Sequence, residues 1–296
     1  MNKKVFMKGY KGFGKGLVCK GKQYAENTVF EEDKAELCKS SMHFCKNPLD
    51  VLDFYPLINR NGDMNEFATV EALDEVQSND DKKFCTKKLK IGAKLKLADF
   101  VKASVEFVIE KCNRETEKSS GNYTQMASSG NSAQMASSGD FAKMASSGDF
   151  AKMASSGDSA KMASSGDYTQ MASSGNYTQM ASSGNSAQMA SSGDYTQMAS
   201  SGDFAKMASS GDSAKMASSG DFAKMASSGD YSVVMCAGRN GMAKAKKGSW
   251  ITLAEWVYDE NKGRYIPKSV VTKQVDGEVI KEDVFYKLVD GEFTEV

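Results

Sequence analysis

Histidine is almost missing from this chain, and net charge is missing altogether. His43 is the single histidine, and 38 basic residues balance 38 acidic ones. That balance leaves no global field to draw the chain onto nucleic acid or an anionic membrane. Nowhere do about 18 apolar residues run together, as a membrane span requires. The opening stretch, MNKKVFMKGYKGFGKG, holds charge but no apolar run of secretory-signal length. The expectation is a protein made and kept in the cytoplasm. In that compartment the six cysteines (Cys19, Cys38, Cys45, Cys85, Cys112 and Cys236) are free thiols.

The missing motifs narrow the chemistry further. Cys38 and Cys45 bracket His43, but the spacing matches no tight CxxC knuckle, so neither a metal nor another cofactor is expected. Nothing near His43 has nucleophile or triad spacing, which makes a hydrogen-bonded core histidine the expected reading. His43, Asp50 and Tyr55, with Asp53, form a candidate pocket; the same acids could equally finish a surface helix. KGYKGFGKG has a superficial GxGxxG flavour without the strand-turn-helix context of a dinucleotide site, so Gly9, Gly12, Gly14 and Gly16 are read as turn residues.

What is abundant is repetition. Twelve of the eighteen methionines stand nine residues apart, from Met126 to Met225, in units such as DFAKMASSG and NYTQMASSG. A disordered linker has no reason to hold Met, Ala, Gly and an aromatic-or-Ser position in strict phase, so the phase argues for stacking. Nine residues are too few for a helix pair. Ser-Ser-Gly-Asp interrupts any helix, and each unit reads as one short strand, AKMAS or TQMAS, plus a turn. Period-two alternation then turns Met144, Ala142 and Ser146 inward and Lys143 and Ala145 outward. Small residues with one flexible Met suit a narrow solenoid core.

Coil length is testable in the columns. Ser returns to the aromatic position every 27 residues (Ser132, Ser159, Ser186, Ser213). Three units per coil would stack Ser on Ser, aromatic on aromatic, and no Lys on Lys. Two per coil would mix the aromatic ladder and place Lys143 over Lys161 and Lys206 over Lys224, which like-charge repulsion disfavours. A three-sided coil is therefore expected, although duplication of sequence blocks would leave the same period without any selection for stacking. The Asp column has neither the repeated Gly of calcium-binding nonapeptides nor constant Asp, so stacked Asp/Asn turns are expected. Scattered Thr residues exclude a Thr lattice for ice. Nine Asp against six Lys in residues 119–230 give too small a negative charge for DNA mimicry.

The flanks are ordinary globular sequence. FATVEAL and KKLKIGAKL read as strands, Asn47-Pro48-Leu49-Asp50 as a capped helix start, and Leu97, Phe100, Val101, Val105, Val108 and Cys112 as one helical face. SWITLAEWVYD, RYIPKSVVTKQV, EVIKEDVFYKLV and EFTEV read as strands, with Asp276-Gly277 and Asp290-Gly291 as tight turns. The expected fold is a β-solenoid, a parallel β-helix of nine-residue repeats (118–248). An N-terminal α+β domain (1–117) and a small C-terminal antiparallel β domain (249–296) flank it.

Both flanks carry a resemblance. GYKGFGKGLVCKGKQYAENTVFEED and CKSSMHFCKNPLDVLDFYP, with GSWITLAEW and DVFYKLVDGEFTEV at the far end, resemble a phage and prophage family with a Gly-Phe-His-x-Cys-x-x-Pro-Leu-Asp-Val core. Ser41-Met42 stand where that core has a small residue and Phe. The family often carries nonapeptide arrays between such flanks and implies no catalytic residues. The expected function is non-enzymatic: a rigid solenoid serving as spacer or contact surface, with a host or defence protein as partner, as an inhibitor would have. The alternatives are an enzyme within residues 1–117 and a virion-associated structural protein. The outward Lys143, Lys152, Lys161, Lys206, Lys215 and Lys224 are the candidate contact residues, and the regular faces predict a homo-oligomer.

Overall fold

The computed structural model describes residues 7–32, 42–59, 61, 63–78, 82–115 and 118–296, with side chains of 108–119 left aside. The chain forms two compact units, 1–107 and 108–296.

The first unit contains β1 (Met7–Phe13), β2 (Val18–Cys19), β3 (Lys22–Gln23), β4 (Val29–Glu31) and β5 (Met42–Cys45). These are followed by α1 (Pro48–Val51), β6 (Glu66–Ala72), β7 (Val76–Ser78), β8 (Lys83–Thr86), β9 (Lys88–Leu95) and α2 (Leu97–Glu115). Seven strands form one antiparallel sheet in the order β4-β9-β6-β1-β5-β8-β7, with β1 at its centre. The expected α+β content is present. Asn47 caps α1 by accepting the Leu49 N–H at 3.0 Å, with Pro48 in the first turn. On α2, Phe100, Val101 and Val105 are buried, while the side chains of Val108 and Cys112 lie outside the described set.

The glycines of this run are not the turn residues expected, apart from Gly16. Gly9 and Gly12 sit inside β1, and only Gly16 has the left-handed φ of a turn, +74°. A Cβ on Gly9 would collide with the Cys45 carbonyl and the Phe44 ring, and one on Gly12 with Tyr55. Close approach, not turning, requires these two glycines.

The second unit begins with β10 (Lys118–Ser119), followed by twelve repeat strands at nine-residue intervals: β11 (Gln125–Ser128), β12 (Gln134–Ser137), β13 (Lys143–Ser146) and onward to β22 (Lys224–Ser227). β23 (Val233–Cys236), β24 (Met242–Lys244), β25 (Trp250–Asp259), β26 (Arg264–Gln274), β27 (Tyr286–Val289) and β28 (Glu292–Glu295) complete it. It is a β-solenoid, and strand pairing settles the coil at 18 residues. Met144 pairs with Met162, and Met153 with Met171, always in parallel register. Two units, not three, close each coil, so the odd repeat strands build one sheet and the even ones the opposite sheet.

The corner explains why. Each unit is a four-residue strand plus five residues whose aromatic-or-Ser position has φ near +57°, as at Phe141 and Ser159. That left-handed residue reverses the chain, so two units complete a circuit. Phe, Tyr and Ser are all unbranched at Cβ, as a left-handed conformation prefers. The aromatic ladder is consequently mixed: Tyr123 stacks on Phe141 at 4.9 Å and Tyr177 on Tyr195 at 5.1 Å, with Ser159 between the pairs. Lys143 does lie over Lys161, and Lys206 over Lys224. Like charges at such spacing cost only tenths of a kcal/mol when their tips reach solvent, roughly the size of one cross-strand pair term. Backbone closure outweighs them.

Inside, the methionines form one continuous buried column from Met126 to Met225, with Ala142 and Ser146 facing inward as the alternation requires. The Asp/Asn column is a structural ladder. Asp140 Oδ1 accepts the Asp158 N–H at 2.9 Å, and Asp158 Oδ1 accepts the Asn176 N–H at 2.7 Å, one coil later each time. Gly139 is obligatory because a Cβ there would overlap the Gly121 carbonyl of the coil before it.

The C-terminal strands continue both solenoid sheets. β25 pairs in parallel with β23, β26 folds back on β25, and β27 pairs with β24. Asp290 and Gly291, with φ of 51° and 78°, make the predicted tight turn between β27 and β28. Asp276 instead uses Oδ1 to accept three successive amides, Glu278 to Ile280, so the expected strand over EVIKEDVFYKLV is reduced to Tyr286–Val289.

Candidate functional sites

Two places carry chemistry, one in each unit. In the first unit, period-two alternation along β1 puts Lys11 on the same side as Gly9 and Phe13, and Lys11 is only 5% exposed. Its Nζ donates to the His43 carbonyl at 2.8 Å and lies 5.5 Å from the centroids of the Phe13 and Tyr24 rings. Lys11 lines a pocket of about 640 Å³ shared with Cys19, Tyr24, His43 and Tyr55. The Tyr55 hydroxyl donates to Cys19 Sγ at 2.9 Å.

Burial pushes the Lys11 amine below the usual lysine value, and the adjacent Cys19, with Cys45 and Glu32, offsets part of that shift. The rings also favour the charged form, but a ring face contributes less than the removal of water from an ammonium costs. Burial likewise pushes the Tyr24 and Tyr55 phenols up, with Cys19 adding to it, so both remain protonated near neutral pH. A lysine placed in this way weakens the core, where an apolar side chain of similar length would pack at no electrostatic cost.

The sequence-derived pocket residues divide. His43 and Tyr55 line this pocket, as does Asp53; Asp50 is buried in α1 and is not part of its wall. Cys38 lies outside the described residues, and Cys19, Cys45, Cys85 and Cys236 are buried and form no disulfide. Lys11 was missed because a lysine in a glycine-rich run reads as a solvated turn. The available signal was its alternation with Gly9 and Phe13.

In the second unit the two sheets are chemically equivalent and physically different. On the even-strand sheet the outward residues are buried in the folded chain: Ala154 is 0% exposed, Ala172 1%, Lys152 7% and Gln170 2%. On the odd-strand sheet the same positions, among them Lys143, Ala145, Lys161, Ala163, Gln179 and Ala181, are exposed. The six candidate contact lysines therefore divide: Lys143, Lys161 and Lys215 stand on the open face, and Lys152, Lys206 and Lys224 on the covered one. The open face is a flat alanine column between a Lys/Gln ladder and a Ser ladder. At its C-terminal end Val233, Met235 and Trp250 take over these columns and remain 42%, 43% and 45% exposed.

The last coil is closed by charge. The Arg239 backbone N–H takes the place of the next ladder donor to Asp221 Oδ1 at 2.8 Å, and its guanidinium pairs with the Asp221 carboxylate. Arg239 also lies 4.1 Å over the Tyr265 ring.

Taken together, the chain combines a small sheet domain with a tandem-repeat β-solenoid. Residues 7–103 match a protein family described as a domain of unknown function, DUF7666. That match covers the first sheet domain and none of the array. No curated protein and no solved structure matches the chain. Among the described residues no helix is long and apolar enough to cross a membrane.

Proposed function

We propose that this is a non-enzymatic structural and binding protein of the phage-encoded kind, acting in the host cytoplasm. Its solenoid is a rigid spacer, and its open face receives a second copy of the same chain. The observation that carries this reading is the face of the odd-strand sheet: its repeat strands carry the same Lys/Gln-Ala-Ser columns in exposed positions. That regular surface ends in an uncovered Val233-Met235-Trp250 patch.

Symmetry selects the arrangement. A two-fold axis along the solenoid lays the Lys/Gln ladder of each copy over the Ser ladder of the other and brings the two Trp250 patches to the same height. An axis along the strands would oppose lysine to lysine. Seven strands about 4.8 Å apart and roughly 16 Å wide bury about 1,000 Å² over both copies, the lower bound for a specific interface. An interface of that size belongs with weak, transient pairing, so the test spans the micromolar range. Sedimentation across that range should show a dimer, and Met235→Asp should yield a monomer that melts like the wild-type chain diluted to its monomeric range. A wild-type monomer at about 100 µM, or a Met235→Asp variant that still dimerises, overturns the reading.

A further inference from the structure

We infer that the pocket of the first unit is a covalent, reversible binding site for small carbonyl compounds, aldehydes or α-oxo acids, with Lys11 as the amine that forms the Schiff base. The inference rests on geometry. An amine is fixed by the His43 carbonyl at 2.8 Å in the wall of a cavity of about 640 Å³, and the Tyr55 hydroxyl, which donates to Cys19 Sγ at 2.9 Å, lines the same cavity. The cavity is large enough for a ligand of a few heavy atoms. Besides Lys11, its carboxylates and ammonium groups are Glu32 and Asp53 against Lys20, Lys22 and Lys83, a small cationic excess that suits an α-oxo carboxylate.

The chemistry balances without any redox partner. The lone pair of the neutral amine attacks the carbonyl carbon, a C–N bond forms, and the C=O π pair moves to oxygen. One nitrogen proton passes to that oxygen, and the Cys19–Tyr55 pair is the relay within reach. The carbinolamine then loses its hydroxyl with a second nitrogen proton as one water, which leaves the imine. Hydrolysis reverses each step. Burial supports the first step because it holds the amine below the usual lysine value and so raises its unprotonated fraction near neutral pH.

The test uses the full-length chain with sodium cyanoborohydride and either pyruvate or glyoxylate at pH 7, read by intact mass and peptide mapping. The expected result is one reduced adduct, on the peptide containing Lys11, absent in Lys11→Met and retained in Lys20→Met. Tyr55→Phe, which keeps the ring and the lysine, should slow trapping about tenfold or more through loss of the proton relay. No adduct on the wild-type chain overturns the inference, as does an adduct spread over surface lysines and unaffected by Lys11→Met. Neither result bears on the solenoid dimer, whose readout is mass in solution.

Discussion

Repeats six and seven share the sequence YTQMASSGN, yet their alanines are expected to respond in opposite ways. Ala172 is 1% exposed on the covered sheet, whereas Ala181 is exposed on the open one. Ala172→Asp must either bury a carboxylate or keep it protonated. Holding a group of ordinary pKa near 4 neutral at pH 7 costs about 3 pH units, or about 4 kcal/mol, and the added volume costs a further 1–3 kcal/mol. Ala181→Asp meets solvent and should stay within about 0.5 kcal/mol in the monomer. The assay is chemical denaturation followed by circular dichroism, repeated over pH. The folded pKa of Asp at position 172 would lie above its unfolded value, so the lost stability should return as pH falls through that raised pKa, while Asp at position 181 should show no such recovery. Equal losses at the two positions would refute the difference in burial between Ala172 and Ala181.

The Asp ladder should tolerate Asp158→Asn, which keeps the Oδ1 acceptor for Asn176, while Asp158→Ala should cost about 1 kcal/mol in a denaturant titration. The same ladder predicts that adding calcium or a chelator leaves the melting temperature unchanged; an appreciable shift would make the column a ligand set. Burial raises the Asp221 pKa, but the Arg239 contacts together lower it by more, for a net depression, so its contribution is present above the unfolded value near 4 and is lost as pH falls through the depressed folded pKa. Hydrogen exchange should accordingly show the coil at Arg239 loosening with acid, and Arg239→Met should abolish that pH dependence.

The sequence made the solenoid legible because a nine-residue phase with Met inward and Lys or Gln outward has few other physical explanations, and Met144, Ala142 and Ser146 face as the alternation requires. Coil length is not legible in the ladders of Ser159 and Lys161, because side-chain stacking does not decide the coil. The left-handed corner residues decide it, and a positive φ at Phe141 or Tyr168 leaves no mark in composition. The contrast between Ala172 and Ala181 was illegible in principle, since identical sequence cannot say which copy is covered. His43 and Tyr55 were found through their neighbourhood, whereas Lys11 required knowing that β1 is the central strand.

The central claim, two units per coil, is tested most directly by a distance along the solenoid. Spin labels carried by an encoded unnatural amino acid at positions 127 and 235 leave the native cysteines untouched. Successive pairings from Ala127 to Ala145 and finally from Ala217 to Met235 place these positions in one column, six coils apart. At about 4.8 Å per coil, pulsed electron paramagnetic resonance should give a separation of about 29 Å. A three-unit coil would set the same positions four coils apart, and a distance near 19 Å would contradict the account.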